Sequence, residues 1–584
     1  MNKIVKHMRF FLFMSLSVCF LISCSEDLDI KSFEPETPVY SFEGEEVSAT
    51  KDGGEYTVNV KSNLPWRAKS NTSWITLNSE SGMTDGSISF TVARNRSVEQ
   101  RVGEIIVWVT GDDEKRLRVV QAPSEPSDLI NHYYVKVDGI DSNDGLSWAN
   151  ATTLENALEI MAPGDNIHIA AGEYIPTQLV SGGSDNGDKT FEIHSNVVII
   201  GGYPADAKEG DVSDPTVNET VLSGNSVSYH TVTVTAPNEA DKKVVIKNLS
   251  IKNGRTGSSS SGTLNINGSV YRRSYGGGLI VGKSEVDLIG CTVSNNETQQ
   301  HAAGIYLFDG AIVRFIDSDI TNNKGILENS NGGGVFNESA TLYLINCNVT
   351  GNSVWGVGGG LYSFSAGTPT YMYIYNTTVA NNSTNAGPNT GRRGGGYYAR
   401  EFSRAQIVNS TFYGNESGRG GGISVYGAVG REAYVDMISS TVTDNFVYNN
   451  AGGVEVLANT KFNAYNSIIT GNRATTLPDM QWAANTATRA YSIVGSEVLD
   501  EADAVVSGQV FDFETMLGKP ANNGGRGLTC KVDAASPAAL LGMDAEKLGK
   551  LALEFSPAID SEIITKDQAG NSRVGKSVMG AIAP

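Results

Sequence analysis

Gly332-Gly333-Gly334-Val335-Phe336, followed by Leu342-Tyr343-Leu344-Ile345-Asn346-Cys347-Asn348-Val349-Thr350-Gly351-Asn352, is one turn of a pattern that returns roughly every thirty residues. The glycine motif recurs as Gly276-Gly277-Gly278, Ala302-Ala303-Gly304, Gly358-Gly359-Gly360, Gly394-Gly395-Gly396, Gly420-Gly421-Gly422 and Ala451-Gly452-Gly453. Between the copies, apolar strand-like runs end at Asn296, Asn323, Asn352, Asn382, Asn415, Asn445 and Asn472. Two strand motifs per period, with no helical stretch between them, exclude leucine-rich and strand-helix-strand repeats and fit coils stacked in register as a parallel β-helix. Stacking accounts for both residue types. An asparagine at one turn position of every coil can hydrogen-bond to its neighbours above and below, and glycine lets the backbone turn where side chains would collide. Leu288, Phe315, Leu344, Ile374, Ile407 and Met437 then fall in one inward column. The fold class expected is all-β: a right-handed parallel β-helix with a smaller β-rich domain before it.

Composition agrees with an elongated repeat. At 584 residues the chain exceeds a usual single core, and 65 glycines with only 18% charged residues suit many short strands. A formal charge of -20 argues against a nucleic-acid partner, which needs basic surface. Five cysteines include Cys19 and Cys24 near the N-terminus, leaving Cys291, Cys347 and Cys530. Cys291 and Cys347 share a column two coils apart, about 10 Å at roughly 4.8 Å per strand, too far for a disulfide.

Lys3, Lys6 and Arg9 precede the apolar run 10–22, too short for a comfortable membrane span, and Leu21-Ile22-Ser23-Cys24 follows. This resembles a lipobox. The resemblance implies a signal peptide over 1–23, acylation of Cys24, and a lipid-anchored protein of the cell outer membrane, with residues 24–38 as tether. Ser25-Glu26-Asp27 is similar to the surface-export signal of Bacteroidetes lipoproteins.

Alternating runs at 55–60, 87–92 and 103–109, separated by turns such as Asp52-Gly53-Gly54, read as a β-sandwich. Leu64-Pro65-Trp66, Ser73-Trp74-Ile75 and the ending Val119-Val120-Gln121-Ala122-Pro123 resemble a BACON domain over residues 39–122. That family implies an immunoglobulin-like module with a proposed glycan-binding role; the preferred reading here is that both tryptophans are core and the module is a spacer. Residues 123–131 form a linker.

Residues 132–500 are assigned to the β-helix and 501–584 to its C-terminal end and cap. Asp138-Gly139, Asp141-Ser142-Asn143-Asp144-Gly145, Ser147-Trp148, Pro163-Gly164-Asp165 and Ala171-Gly172-Glu173-Tyr174 resemble the opening of pectin-lyase-like surface proteins. Ser556-Pro557-Ala558-Ile559-Asp560 and Asp567-Gln568-Ala569-Gly570-Asn571-Ser572-Arg573 are similar to their C-terminal end. A helix near 152–161, with Thr152 and Glu155 as a capping box and Leu154, Ala157, Leu158 and Met161 on one face, would close the first coil. The Asp-rich loop could bind calcium but lacks EF-hand spacing, and turn formation explains it equally well, so no metal and no cofactor are assigned.

Aligning coils on the glycine motif gives outward columns. The residue before it runs Tyr275, His301, Asn331, Val357, Arg393, Arg419, Asn450, and the second after it runs Ile280, Tyr306, Phe336, Tyr362, Tyr398, Ser424, Glu455. Phe308, Phe364, Arg400 and Tyr426 follow two positions later, Arg272-Arg273 precede Ser274-Tyr275, and Arg392, Arg404 and Arg431 add to an arginine-rich stripe facing only Glu401 and Glu416. This combination suits a groove for an acidic polysaccharide, with sugar faces on aromatic rings such as Tyr362 and Tyr398 and carboxylates or sulfates held by Arg272, Arg273, Arg392, Arg393, Arg400 and Arg419. The alternative is that stacked rings merely cover the flank.

β-Elimination from a uronate needs a donor on the carboxylate (Asn331 or Arg393), a base for the C5 proton and an acid for the leaving oxygen, roles open to His301, Tyr275 and Tyr306. Hydrolysis needs paired carboxylates, and only Asp309 and Glu338 lie near on neighbouring coils. The leading expectation is a monomeric surface polysaccharide lyase acting on a glycosaminoglycan such as chondroitin sulfate or hyaluronan. A non-catalytic glycan-binding protein or adhesin is the main rival, since fold does not fix function, and a glycoside hydrolase is third.

Overall fold

The computed structural model describes residues 36–111, 113–236, 243–258, 261–385 and 391–584. The leader and Cys24 lie outside these. The described residues divide into two compact units, one up to Leu129 and the other Ile130–Pro584.

The first unit is a two-sheet sandwich. Gly54–Ser62 pairs antiparallel with Gly86–Val92 in a four-stranded sheet, and Arg101–Trp108 with Glu114–Gln121 in a five-stranded one. Alternation puts Val58, Val60, Ile88, Phe90, Ile105, Val107, Leu117 and Val119 in the core between them. Trp66 is buried there, its indole N–H donating to the Thr84 carbonyl, while partly buried Trp74 packs on the same core beneath the Arg101 guanidinium. Both tryptophans are packing residues, as expected.

The second unit is a three-faced parallel β-helix. Each coil adds one strand to sheet I (ten strands, for example Ile305–Phe308), then to sheet II (twelve, Ile312–Ile316), then to sheet III (thirteen, Asp319–Thr321). The register is continuous: Leu288, Phe315, Leu344, Ile374, Ile407 and Met437 are paired partners in sheet II and all point into one buried core. Each such side chain contributes about 1.5–3 kcal/mol relative to exposure, but only in a stack, because a single coil buries nothing by itself.

The asparagine ladder forms just after sheet III. Asn296, Asn323, Asn352, Asn382, Asn415 and Asn445 each donate from Nδ2 to Oδ1 of the next at 2.8–3.0 Å, ending at Asn472, which donates to Asp479. The same Oδ1 accepts the backbone N–H of the previous asparagine, and each Nδ2 also reaches a strand carbonyl one coil back, as Asn382 does to Val349 at 2.8 Å. The glycine motif and the ladder are one device. A Cβ on Gly360 would stand 2.8 Å from the Gly396 carbonyl oxygen and 2.9 Å from the Asn382 amide, so the third motif position stays glycine where the first two tolerate Ala302 and Ala303.

A second ladder, absent from the sequence reading, occupies the turn between sheets II and III. Backbone N–H groups of Cys291, Cys347, Thr377, Ser410, Ser440 and Ser467 donate to Ser318, Thr377, Ser410, Ser440, Ser467 and Ser492 hydroxyls of the following coil at 3.0–3.2 Å. Cys291 and Cys347 belong to this column as thiols, and Cys291, Cys347 and Cys530 are all free and buried.

Two expectations about the ends need correction. The helix is Leu154–Ile160, and its N-cap is Thr153, whose hydroxyl accepts from the Asn156 N–H. Thr152 is buried as a bridge partner of Val135, and Glu155 instead accepts from Thr177, so the Thr152–Glu155 capping box does not form. The apolar face (Leu154, Ala157, Leu158, Met161) does join the core. At the other end, residues 501–584 do more than cap. They run back along the outside: Arg526 pairs with Asp319 at 2.7 Å, Gln568 bonds Thr378 and Thr411, and Asn466 donates to the Val578 carbonyl. Arg573 is fully buried, its guanidinium donating to Lys566, Val578, Gly580 and Ala581 carbonyls and to Asn409 Oδ1. The helices Ala545–Glu554 and Ser561–Ile564 cover Tyr375, Val408 and Ile438 on sheet II.

Candidate functional site

The outward residues of sheet I form one paired column: Ile280, Tyr306, Phe336, Tyr362, Tyr398, Ser424 and Glu455. They point away from the lumen as alternation requires, and their rings stack on one another, Phe336 on Tyr362 at 4.8 Å and Tyr362 on Tyr398 at 5.7 Å. The column is nevertheless buried. The hairpin of Thr263–Ile266 and Ser269–Arg272 lies against its first coils, with Tyr271 hydrogen-bonded to the Val234 carbonyl and edge-on to Phe308 at 5.1 Å. Tyr306, Tyr362 and Tyr398 are 1%, 2% and 6% exposed, so their faces are taken by neighbouring rings rather than open to sugar.

At the head of the column a polar cluster gathers. Tyr275 meets His301 and Tyr306 edge-on at 4.6 and 5.0 Å. The exposed Arg272 guanidinium lies 5.2 Å from the Tyr275 ring centre and within electrostatic reach of Tyr306 and Glu338. Tyr306 donates a short hydrogen bond to Glu338. Burial, then the Glu338 charge, raises the Tyr306 pKa well above the ordinary phenol value, and burial raises that of Tyr275. Burial pushes the His301 imidazole down to about 4. Its Nδ1 accepts the Asn331 backbone N–H at 3.2 Å, which places the proton on Nε2.

This geometry corrects the assigned roles. His301, Tyr275 and Tyr306 stand as neutral donors at neutral pH, and none is a poised base. Asn331 Oδ1 accepts from the Val357 N–H and holds one turn to the next. Glu338 is the carboxylate of the cluster, and it accepts from Tyr306.

The arginines divide in two. Arg273 is buried and forks onto Asp188 with both contacts at 2.6 Å, so it fastens the hairpin rather than facing a ligand. Arg393 Nε donates to Glu455 at 3.0 Å and Arg419 lies 3.9 Å from the same carboxylate, which is 0% exposed. Arg400 and Arg431 both pair with buried Glu401, at 3.2 and 2.6 Å. The basic stripe is thus largely neutralised from beneath, and Arg404 belongs to sheet II instead. What stays accessible are guanidinium–ring pairs: Arg272 on Tyr275, Arg392 on Trp355 at 5.4 Å and Arg400 on Phe364 at 4.9 Å. Glu455, Glu401 and Glu338 were all visible in the sequence, but apart from Arg400 beside Glu401 their partners sit one or two coils away. Among the described residues no group of three or more His, Cys, Asp or Glu side chains could hold a metal.

Residues 64–122 match the BACON family, described as a putative binding domain, N-terminal. They span the later strands of the sandwich. No curated protein matches the chain in sequence. Among solved structures, a pectate lyase is similar over 71% of this chain and 92% of its own, at 14% identity and a TM-score of 0.41. A rhamnogalacturonan lyase (12% identity, 62% and 87% covered, TM-score 0.27) and a pectin methylesterase from Aspergillus niger (16%, 67% and 94%, 0.25) are also similar.

Proposed function

We propose that the protein engages an acidic polysaccharide along the flank of sheet I, anchored at the outer membrane through Cys24. The observation that carries this is the set of three guanidinium–ring pairs, Arg272–Tyr275 and Arg400–Phe364 beside sheet I and Arg392–Trp355 on the three-stranded strip that precedes it in the coil, on an otherwise acidic chain. A guanidinium held on a ring offers a fork for a carboxylate or sulfate beside an apolar surface for the sugar. A carboxylated or sulfated glycosaminoglycan fits these pairs.

The second reading is cleavage by β-elimination, favoured by the placement of Arg272 beside Tyr275, Tyr306 and Glu338. In this reading Arg272 neutralises the uronate carboxylate and Glu338 takes the C5 proton. The electron pair forms the C4–C5 double bond as the C4–O bond breaks. Glu338, held in place by the Tyr306 hydrogen bond, then delivers that proton to the leaving oxygen. The test is titration of the full chain, in mild detergent, with chondroitin sulfate, hyaluronan and pectin while following ultraviolet absorbance of unsaturated uronate. Binding that weakens in Arg272→Ala/Arg400→Ala supports the first reading; absorbance lost in Glu338→Gln supports the second. No binding to any of the three rejects both.

A further inference from the structure

Sheet II carries a second surface of aromatic and charged residues that the sheet I flank does not use. Its outward columns pair Tyr371 with Arg404, Tyr434 and Lys461, and Tyr373 with Gln406, Asp436 and Asn463. The third outward column (Tyr375, Val408, Ile438) is covered by the C-terminal helices, whose apolar cluster also takes in Tyr373 of the second column, while Tyr371, Arg404, Tyr434 and Lys461 lie outside that cluster. The resulting step is a cleft of about 340 Å³ with sheet II as floor and Ser556 on its wall, where Gln406 donates to the Pro557 carbonyl at 3.0 Å.

Three features mark the cleft as built for a ligand. The Arg404 guanidinium lies 3.9 Å from the Tyr434 ring centre, the tightest such pairing among the described residues, and Lys461 reaches the same ring at 5.8 Å. Unlike Arg393, Arg400, Arg419 and Arg431, neither Arg404 nor Lys461 has a carboxylate partner among the described residues; Arg404 NH1 donates only to the Ser403 and Glu432 carbonyls, at 3.0 and 2.5 Å. Tyr371, 37% exposed, offers an open ring edge to the same space, and Asp436, fixed by Asn463 at 2.7 Å, supplies an acceptor whose pKa burial raises. From Tyr371 to Lys461 the column spans three coil steps, ~14 Å at roughly 4.8 Å each.

We infer that this cleft is a separate binding site for a short anionic saccharide, with Arg404 and Lys461 holding its carboxylate or sulfate groups, Tyr371 and Tyr434 packing on its rings, and Asp436 accepting from a hydroxyl. The site stands independently of the sheet I reading, because none of its residues belongs to that flank.

The test is calorimetric titration of the full chain carrying Arg272→Ala/Arg400→Ala, which removes the sheet I flank. Probes are a galacturonate tetrasaccharide, a chondroitin sulfate tetrasaccharide and neutral cellotetraose. The expected result is that at least one charged probe still binds, that adding Arg404→Ala or Tyr434→Ala weakens it at least about tenfold, and that Lys461→Gln, an exposed change, weakens it several-fold with an unaltered denaturation midpoint. Absence of binding to both charged probes in the flank-deleted chain overturns the inference. So does binding indifferent to Arg404→Ala and Lys461→Gln, or equal binding of cellotetraose. If the flank reading alone fails, wild type and the flank-deleted chain bind with the same single stoichiometry.

Discussion

Two columns run along the solenoid a few residues apart with the same stacking geometry and opposite chemistry. One repeats asparagine from Asn296 to Asn472; the other, just before the glycine motif, runs Tyr275, His301, Asn331, Val357, Arg393, Arg419 and Asn450. The first is sealed, its carboxamides bonded to the coil on either side in one repeated pattern; in the second the backbone bridges coil to coil, and the side chains have mixed partners, His301 and Asn331 bonding to the next coil while Arg393 and Arg419 turn to Glu455. Uniformity marks a position that coil-to-coil hydrogen bonding dictates. Variety marks one the fold leaves open.

The sharpest way to break that contrast is Asn382→Leu. It leaves the Asn352 N–H without its acceptor and takes one partner each from Asn352 Nδ2, the Val349 carbonyl and Asn415 Oδ1, in a dry interior. At ~1–3 kcal/mol for each buried unsatisfied group, partly relieved by relaxation, we expect a loss of about 3–5 kcal/mol in denaturant unfolding.

Glu455→Ala tests a hybrid position, varied in sequence yet sealed in space. It leaves Arg393 and Arg419 without their carboxylate, while removing an oxygen, Oε1, that lacks a hydrogen-bond partner among the described residues. A loss of about 1–2 kcal/mol is expected, together with altered polysaccharide affinity, because the freed arginines turn outward.

His301 supplies a pH dependence to the varied column. Its folded pKa of about 4 lies below the unfolded 6.5, so the unfolded chain binds more protons between these values. Its stabilising contribution is complete above pH 6.5 and is lost as pH falls toward 4, at up to about 1.4 kcal/mol per pH unit. His301→Gln should flatten the fall in unfolding midpoint between pH 6.5 and 4 relative to wild type; an unchanged slope would show that the ring is not held neutral. Least of all, Arg272→Ala should change stability by under about 0.5 kcal/mol while weakening polysaccharide binding, the signature of a side chain the fold does not need.

The parallel β-helix, its inward column and the asparagine ladder were legible because each repeats at one position in every coil, so seven weak signals reinforce each other. The outward direction of the Tyr306, Phe336, Tyr362 and Tyr398 column was legible too, from strand alternation alone. Its burial was not, because it depends on a hairpin laid over the first coils. The arginine stripe misled for a related reason: Arg393 meets its counter-charge 62 residues later, at Glu455, so a count of acids between 385 and 431 overstates the free positive charge. The second ladder escaped because Cys, Ser and Thr share its position, and the helix cap slipped by one because adjacent threonines compete and a bridge to Val135 claims Thr152.

By itself, then, the sequence determined the solenoid: the period, the inward column and the turn residues are local demands of stacked coils, met by residue type at each step. Only the tertiary structure decided which outward residues are exposed, which arginines are already paired, and that residues 501–584 fold back to leave a cleft on sheet II. Those outcomes rest on contacts between segments many coils or domains of sequence apart, and nothing in the local pattern of either partner specifies the other.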